Sequence, residues 1–356
     1  MSSSRTLTAA CHCRSVSFTL TIPTSALPLR THICNCTICR TTHGALASFH
    51  ATLPSDIKPS FIAASGPDKL TAYRHAHATS TRYFCSTCGC HIGDQMVSEE
   101  IWNISISIFD ANANEGVWTI DEHLFTGSTA DGGLSALLPR IEGRELKRWD
   151  TQPGALSISD SSFSSHGQDA EEDTLLAKCH CGGISFTISR PRDEFVDSPA
   201  SKKWIHPSDP TKWLALVDVC RDCRLVTGAH TLAWLFVAKD HITPPLPSNL
   251  LIGTSKCYRS SKGVYRTFCG TCGATVFYTE ASRLDIVDVA TGLLHAADGV
   301  MLGSWAWWRT ERLGYPDDGR TYDRAFTDSL TEGLQGWGLK THGEVRDLVV
   351  GSETTE

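Results

Sequence analysis

The chain has 356 residues, of which 41% are hydrophobic, and it carries a formal net charge of −7 at pH 7. Lysine and arginine form no basic run, so the composition predicts no nucleic-acid partner, because phosphate neutralisation requires a positive surface. No apolar stretch approaches the length of a membrane span, and the N-terminal residues do not read as a signal peptide. We therefore expect a cytoplasmic protein without a membrane partner, built from two domains.

Fifteen cysteines are present, and most of them fall into C-x-C or C-x-x-C pairs. Clustered thiols in a reducing compartment bind metal ions more often than they form disulfides. A secreted disulfide scaffold is the alternative, but such closely spaced pairs are poor partners for simple bridges.

The first motif is the C-x-C pair Cys11 and Cys13, and apolar residues occupy every second position from Val16 to Ile22. This alternation predicts a half-buried strand. A C-x-x-C pair, Cys85 and Cys88, follows much later in the chain. Two widely separated pairs suit a closed four-thiolate zinc site, whereas unliganded core cysteines would not need the glycine that follows Cys88.

A denser motif, C-x-C-x-x-C, supplies Cys34, Cys36 and Cys39. Three thiolates leave one position of a tetrahedral zinc ion open, which favours a catalytic or substrate-binding zinc. A second structural zinc stays possible if a fourth residue completes the site. The candidates for that fourth ligand are His43, Cys90 and His91.

The motifs return in the second half of the chain. Cys179 and Cys181 repeat the first pair 168 residues later, and Cys269 and Cys272 repeat the C-x-x-C pair 184 residues later. The second copy therefore holds 16 additional residues, which we place between 190 and 210 and expect to reshape the neighbouring pocket. One domain is thus written twice.

The dense motif is altered in the second copy, where Asp218 stands in place of the first cysteine and is followed by Cys220 and Cys223. Carboxylate oxygen is an acceptable zinc ligand, although it is harder than sulfur. The second site has therefore either changed its chemistry or lost its metal, with His230 as a further candidate ligand.

An arginine, Arg40 or Arg224, directly follows the last cysteine of each dense motif. Its guanidinium could bind a carboxylate of an incoming ligand or support the thiolates, or it could be an unpartnered surface group.

These patterns predict a mainly β protein with a first zinc domain at 1–149, a flexible linker at 150–176, a second zinc domain at 177–332 and a C-terminal tail at 333–356. The segments 102–108 and 232–237 read as strands, the second of them fully buried. Long helical periodicity is absent from the sequence.

The order C-x-C, C-x-C-x-x-C, F-C-x-x-C-G resembles the glutathione-dependent formaldehyde-activating family, also called the centromere protein V family, here as a tandem pair. The resemblance implies two tandem zinc-binding β-tent domains. It implies a structural zinc at the two outer pairs and a catalytic zinc at the dense motif. It further implies carbon–sulfur lyase-type chemistry that joins glutathione to an aldehyde or acts on a glutathione conjugate.

The predicted catalytic residues are Cys34, Cys36, Cys39 and Arg40. The predicted zinc ligands are Cys11, Cys13, Cys85, Cys88, Cys34, Cys36, Cys39, Cys179, Cys181, Cys269, Cys272, Asp218, Cys220 and Cys223.

Two alternatives remain open at this point. The first is a divergent zinc lyase, cyclase or isomerase that tailors a reactive small-molecule metabolite, and the second is a non-catalytic zinc module that binds a protein partner. The walls of a pocket for a flat metabolite could come from Trp102, Trp118, Trp204, Trp213, Trp234, Trp305, Trp307 and Trp308, although core packing suits most of them.

Overall fold

The computed structural model describes residues 3–111, 113–151, 173–199 and 201–347. Most of the predicted linker, 152–172, and the last residues of the predicted tail, 348–356, lie outside the described residues. The fold is mainly β, as predicted. Across the described ranges, none of the helices combines the length and the apolar character that a membrane crossing requires. The cytoplasmic location stays a prediction.

The first copy forms a large sheet in the order β13-β10-β3-β4-β9-β8-β7-β6, a three-stranded sheet β1-β2-β5 and the hairpin β11-β12. Its strands are β1 Ser4–Ala10, β2 Ser17–Pro23, β3 Leu29–Cys34, β4 Ser48–Thr52, β5 Ser60–Phe61, β6 Leu70–Tyr73, β7 Ser80–Cys85, β8 His91–Met96, β9 Trp102–Ser105, β10 Trp118–Leu124, β11 Arg140–Ile141, β12 Arg144–Glu145 and β13 Lys147–Trp149. Its α-helices are α1 Thr37–His43 and α2 Leu134–Leu137.

The second copy forms a large sheet in the order β19-β20-β21-β22-β17-β16-β24 and a smaller sheet β18-β15-β14-β23. Its strands are β14 Thr174–Lys178, β15 Ser185–Ser189, β16 Trp213–Asp218, β17 Leu232–Ala238, β18 Ile242–Thr243, β19 Ser255–Ser261, β20 Val264–Cys269, β21 Thr275–Glu280, β22 Ile286–Ala290, β23 Leu294–His295 and β24 Ala306–Trp308. Its α-helices are α3 Asp193–Val196, α4 Arg221–Thr227 and α5 Pro316–His342.

The two large sheets share one strand order. Strands β10-β3-β4-β9-β8-β7-β6 of the first copy correspond in sequence and neighbours to β24-β16-β17-β22-β21-β20-β19 of the second. The pairing register also agrees, since His32 lies opposite His50 as Leu216 lies opposite Trp234. The repeat seen in the cysteine motifs therefore extends to the arrangement of the strands.

The hydrophobic patterns place the strands as predicted, with one exception. Val16, Phe18, Leu20 and Ile22 are all fully buried, and every residue of β17 is buried. The predicted strand 102–108 ends early, at Ser105. The Ser105 hydroxyl accepts a hydrogen bond from the Ser107 N–H, and this side-chain bond starts a 3-10 turn over Ile106–Ile108.

The sequence prediction of no long helix is wrong, because α5 spans 27 residues with a kink at Asp323. Proline in its first turn and Gly343 as its C-cap are ordinary helix boundaries. Its buried face repeats every fourth residue at Tyr322, Phe326, Leu330 and Leu334. Helical glycines weaken the signal, and one of them is required by packing, since a Cβ on Gly333 would lie 1.8 Å from the Leu137 carbonyl oxygen.

Two further segment predictions can be compared with the structure. Helix α5 continues ten residues into the predicted tail 333–356. The additional residues of the second copy lie between β15 and β16, as predicted, and include α3. A cavity lies over Asp218, Cys220 and Cys223, and none of the described residues in that insertion lines it. Trp204 of the insertion stacks on Phe236, which does line this cavity.

The two copies contact each other reciprocally, as in an interface with two-fold symmetry. The His12 N–H donates to the Leu225 carbonyl oxygen and the His180 N–H donates to the Thr41 carbonyl oxygen, each at 3.2 Å. Each histidine ring also pairs with a tyrosine of the other copy. Nδ1 of His12 lies 2.7 Å from the Tyr258 hydroxyl, and Nδ1 of His180 lies 2.6 Å from the Tyr73 hydroxyl.

Glycines cap the two short helices α1 and α4 at this interface. Gly44 and Gly228 both have φ of +74°, and a Cβ on either would lie 2.2 Å from a carbonyl oxygen of the opposite copy, that of Thr275 or His91. The left-handed backbone and the close approach both require glycine at these positions.

Replacing Gly228 with alanine should therefore destabilise the protein strongly. The same replacement should cost less at a glycine that has a left-handed backbone but no close neighbour. Gly116 provides the control, because its φ is +69° and no atom lies within 4 Å of a Cβ placed there. We expect Gly116→Ala to lower the free energy of unfolding by about 1 kcal/mol, and Gly228→Ala by about 1–3 kcal/mol more. Equal losses in thermal or denaturant unfolding would contradict the close contact between the copies.

Candidate metal centres

The outer cysteine pairs of each copy meet in a closed group of four thiols. Sulfur atoms of Cys11, Cys13, Cys85 and Cys88 all lie within 4.8 Å of one another, and so do those of Cys179, Cys181, Cys269 and Cys272. Two measured sulfur–sulfur distances in the first group are 3.5 and 3.6 Å. A tetrahedral zinc with sulfur ligands at about 2.3 Å places its sulfurs roughly 3.8 Å apart, so both groups fit such an ion.

The fold brings the two pairs together through a hairpin and a knuckle. Cys11 follows β1 and accepts a hydrogen bond from the Val16 N–H at its sulfur. Cys85 ends β7, and Gly89, with φ of +83°, returns the chain after Cys88. The glycine knuckle that the sequence singled out is therefore part of the turn that presents this pair.

The dense motif forms a separate group of three thiols. Cys34 ends β3, and Cys36 is the N-cap of α1, where its sulfur accepts a hydrogen bond from the Cys39 N–H at 3.3 Å. The three sulfurs lie within 4.8 Å of one another, and the described residues contribute no fourth histidine, cysteine or carboxylate ligand atom within that range. The group could therefore hold a metal ion with one position left for another ligand.

The residues considered as a fourth ligand have other partners. His43 Nδ1 lies 2.9 Å from the Cys39 carbonyl oxygen, and His91 Nε2 lies 2.7 Å from that of Thr42. The Cys90 thiol donates to the His91 carbonyl oxygen, and burial raises the pKa of that thiol. The binding-module alternative needs a closed group here, and these contacts do not provide one.

The corresponding group of the second copy keeps its geometry despite the aspartate. Ligand atoms of Asp218, Cys220 and Cys223 lie within 4.8 Å of one another. Asp218 Oδ1 accepts a hydrogen bond from the Cys220 N–H at 2.7 Å, which orients the carboxylate. Burial raises the pKa of Asp218. The three ligand atoms therefore lie close enough together to hold a metal ion.

His230 belongs to a different, buried network. Its Nδ1 lies 2.7 Å from the Ser107 hydroxyl of the first copy, and its Nε2 lies 3.7 Å from the Asp323 carboxylate. It is not part of the group formed by Asp218, so the structure gives no support to His230 as a ligand.

The arginine that contacts a thiol of each open group is not the one that directly follows the last cysteine of the dense motif. The Arg40 guanidinium donates to the carbonyl oxygens of Asn35 and Ser128 and to the Thr37 hydroxyl. Burial lowers the pKa of Arg40. These contacts tie α1 to the chain that follows β10.

Arg82 and Arg266, which occupy equivalent positions on β7 and β20, face the thiols instead. Arg82 lies 3.9 Å from the Cys39 sulfur, and Arg266 donates to the Cys223 sulfur at 3.4 Å. Burial opposes both charges and is the largest single effect, but the neighbouring cysteines, together with Asp94 for Arg82 and Tyr278 for Arg266, outweigh it and raise the pKa of each arginine. The repeat of Arg82 and Arg266 in the sequence was the available signal for them.

A cavity of about 470 Å³ opens over the second open group. Its lining includes all three members of that group, Arg266 and a set of aromatic side chains, Trp234, Phe236, Tyr278 and Tyr315. Of the tryptophans that the sequence offered as pocket walls, Trp234 lines this cavity. Trp213, Trp305 and Trp308 are fully buried in the core.

A family model described as the glutathione-dependent formaldehyde-activating enzyme matches residues 6–128 and 207–309. The first match contains both cysteine groups of the first copy, and the second contains the open group and the C-x-x-C pair of the second copy. No curated protein shows significant similarity to this chain. The two matches cover more than half of the chain, which therefore belongs to the glutathione-dependent formaldehyde-activating enzyme family.

Proposed function

We propose that this protein is a zinc-dependent enzyme of the carbon–sulfur lyase type that joins glutathione reversibly to an aldehyde or acts on a glutathione conjugate. The observation that carries the proposal is the open group of Cys34, Cys36 and Cys39, whose three thiols find no fourth ligand among the described residues. Membership of the family supports glutathione-related chemistry.

The other metal assignments distinguish a closed group and an open group in each copy. We propose that the two closed groups of four cysteines hold structural zinc ions, and that both open groups hold zinc as well, with Asp218 as a ligand of the second. We also propose the domain limits 1–149 and 177–332. The donor types and sulfur spacings support zinc, because thiolate and carboxylate are ligands that zinc accepts.

At the first open group, zinc would act as a Lewis acid and lower the pKa of a thiol that binds its open position. The three cysteines would hold the ion at the start of α1. Arg82, close to Cys39, compensates the negative charge that three thiolates accumulate. We propose that Arg40, predicted as catalytic, positions α1 instead, since its guanidinium contacts the chain on both sides of the helix start.

The side chains around the first group suit a small polar electrophile. Alternation along the strands places a set of polar residues on the sheet face of Cys34, and the corresponding residues of the second copy line its cavity. The polar residues of the first copy are His32, His50, Thr52, Asp94 and Asn103. A short aldehyde and its hydrate can form hydrogen bonds with such groups.

Zinc content tests the metal assignment. Elemental analysis and native mass spectrometry of the full chain should find four zinc ions in the wild type and three in Cys36→Ser and in Cys220→Ser. Cys257→Ser is the control, because Cys257 is exposed and belongs to none of the four groups, and this variant should keep four ions. Three ions in the wild type that stay at three in Cys220→Ser would show that the second open group holds no metal.

Turnover tests the reaction. The wild type should accelerate the reversible formation of the adduct between glutathione and formaldehyde. Exchange NMR measures this rate. Cys36→Ser should lose about a hundredfold or more of that rate, because it removes a metal ligand. Cys220→Ser should retain the exchange if the first group acts on the small aldehyde. An unchanged rate in Cys36→Ser would contradict the proposed catalytic role of the first group.

A further inference from the structure

The residues that line the cavity over Asp218, Cys220 and Cys223 differ in chemical character from the equivalent residues near the first open group. Its volume of about 470 Å³ lies in the range of roughly 300–1,000 Å³ that is usual for small-molecule sites. We infer that this cavity binds an uncharged aromatic or conjugated small molecule whose oxygen or sulfur atom reaches the metal group. The second copy would then act on a different class of electrophile from the first.

Aromatic side chains line the cavity at different depths from the surface. Trp234 and Phe236 are each only 2% exposed. Tyr278 is half-buried, and Tyr315 is 41% exposed at the start of α5. Aromatic rings attract flat ligands through offset stacking and edge-to-face contacts in addition to the burial of apolar area.

The first copy shows that the sheet does not need these aromatic residues to fold. The strand register makes His50 equivalent to Trp234, Thr52 equivalent to Phe236 and Asp94 equivalent to Tyr278. Leu216 likewise replaces His32. The second copy therefore presents apolar and aromatic side chains where the same backbone carries polar ones in the first.

Two of the three guanidinium groups in the cavity bind acceptors of the protein. Arg283 donates to both carboxylate oxygens of Asp288 and to Glu280, and Tyr278 donates its hydroxyl hydrogen to Glu280. Arg266 donates to the Cys223 sulfur and to the Ser260 hydroxyl. These two guanidinium groups already have acceptors within the protein.

The remaining charge balance disfavours an anion. The lining carries five carboxylates and three guanidinium groups, namely Asp218, Asp222, Glu280, Asp288 and Asp318 with Arg221, Arg266 and Arg283. With the thiolates of Cys220 and Cys223 and the proposed zinc ion counted as well, the lining keeps a net charge of −2. A ligand with carboxylates, including glutathione itself, would be repelled by this excess of negative groups. An uncharged ring avoids that repulsion and gains the aromatic contacts, so the ligand class follows from both observations.

This inference rests on the proposed function for the metal at the second group, and it names the substrate class of that site. It is tested with 2-acetylnaphthalene, an uncharged aromatic ketone, titrated calorimetrically into the zinc-loaded full chain. The wild type should bind it, and Tyr278→Leu and Tyr315→Asn should each raise the dissociation constant about tenfold. Asparagine at 315 suits the left-handed backbone there, where φ is 52°.

The control for Tyr315→Asn is Tyr265→Asn. Tyr265 is 42% exposed, nearly the same as Tyr315, but it does not line the cavity, so this variant should bind the ketone as the wild type does. The anion 2-naphthoate, which has the same ring system, should bind at least about tenfold more weakly than the ketone.

Three results would overturn the inference: no binding of the ketone to the wild type, unchanged affinity in both tyrosine variants, or tighter binding of 2-naphthoate. Ketone binding with the expected variant pattern but without any glutathione–aldehyde exchange would refute the proposed function alone. Exchange without ketone binding would refute the inference alone.

Discussion

The structure depends on a reciprocal contact in which the histidine of each C-H-C motif lies against the cysteine helix of the other copy. The His12 N–H bonds to the carbonyl of Leu225 in α4, and the His180 N–H bonds to that of Thr41 in α1. Both histidines are flanked by cysteines of a closed group, and both helices carry a cysteine of an open group. The closed group of one copy thereby holds in place the helix that presents the open group of the other, so neither copy has an independent site.

The sequence predicted which side chains group together, because residue type and spacing carry that information. Four thiols in two pairs leave few alternatives in a small β domain, and the structure brings each predicted set together. Arg40 illustrates the limit of such reasoning. It follows Cys39 directly, but successive residues on a helix point about 100° apart, and its guanidinium donates to the Asn35 carbonyl oxygen rather than to a thiol. Arg82 reaches Cys39 from another strand, and this proximity depends on the tertiary fold.

Other features were visible in the sequence only in part. The substitutions His50 to Trp234 and Asp94 to Tyr278 could be read from the 184-residue offset, but their common location around a cavity required the sheet register. His230 was considered as a ligand because it follows α4 closely. Its ring instead bridges Ser107 of the first copy and the kinked turn of α5 at Asp323, two partners that are distant in sequence.

Fusion of the two copies in one chain allows their open groups to diverge. In a symmetric dimer of identical chains, every change at one site occurs at both, and an added helix would cover both sites equally. Here α5 follows the second copy alone and places Tyr315 and Asp318 beside the second open group. The Arg224 guanidinium lies over the ring of Tyr322 from the same helix, at 3.4 Å from its centre. The segment that extends past the repeat thus adds to the chemical difference that the strand residues of the second copy create, while the reciprocal interface still requires both copies to keep the same backbone.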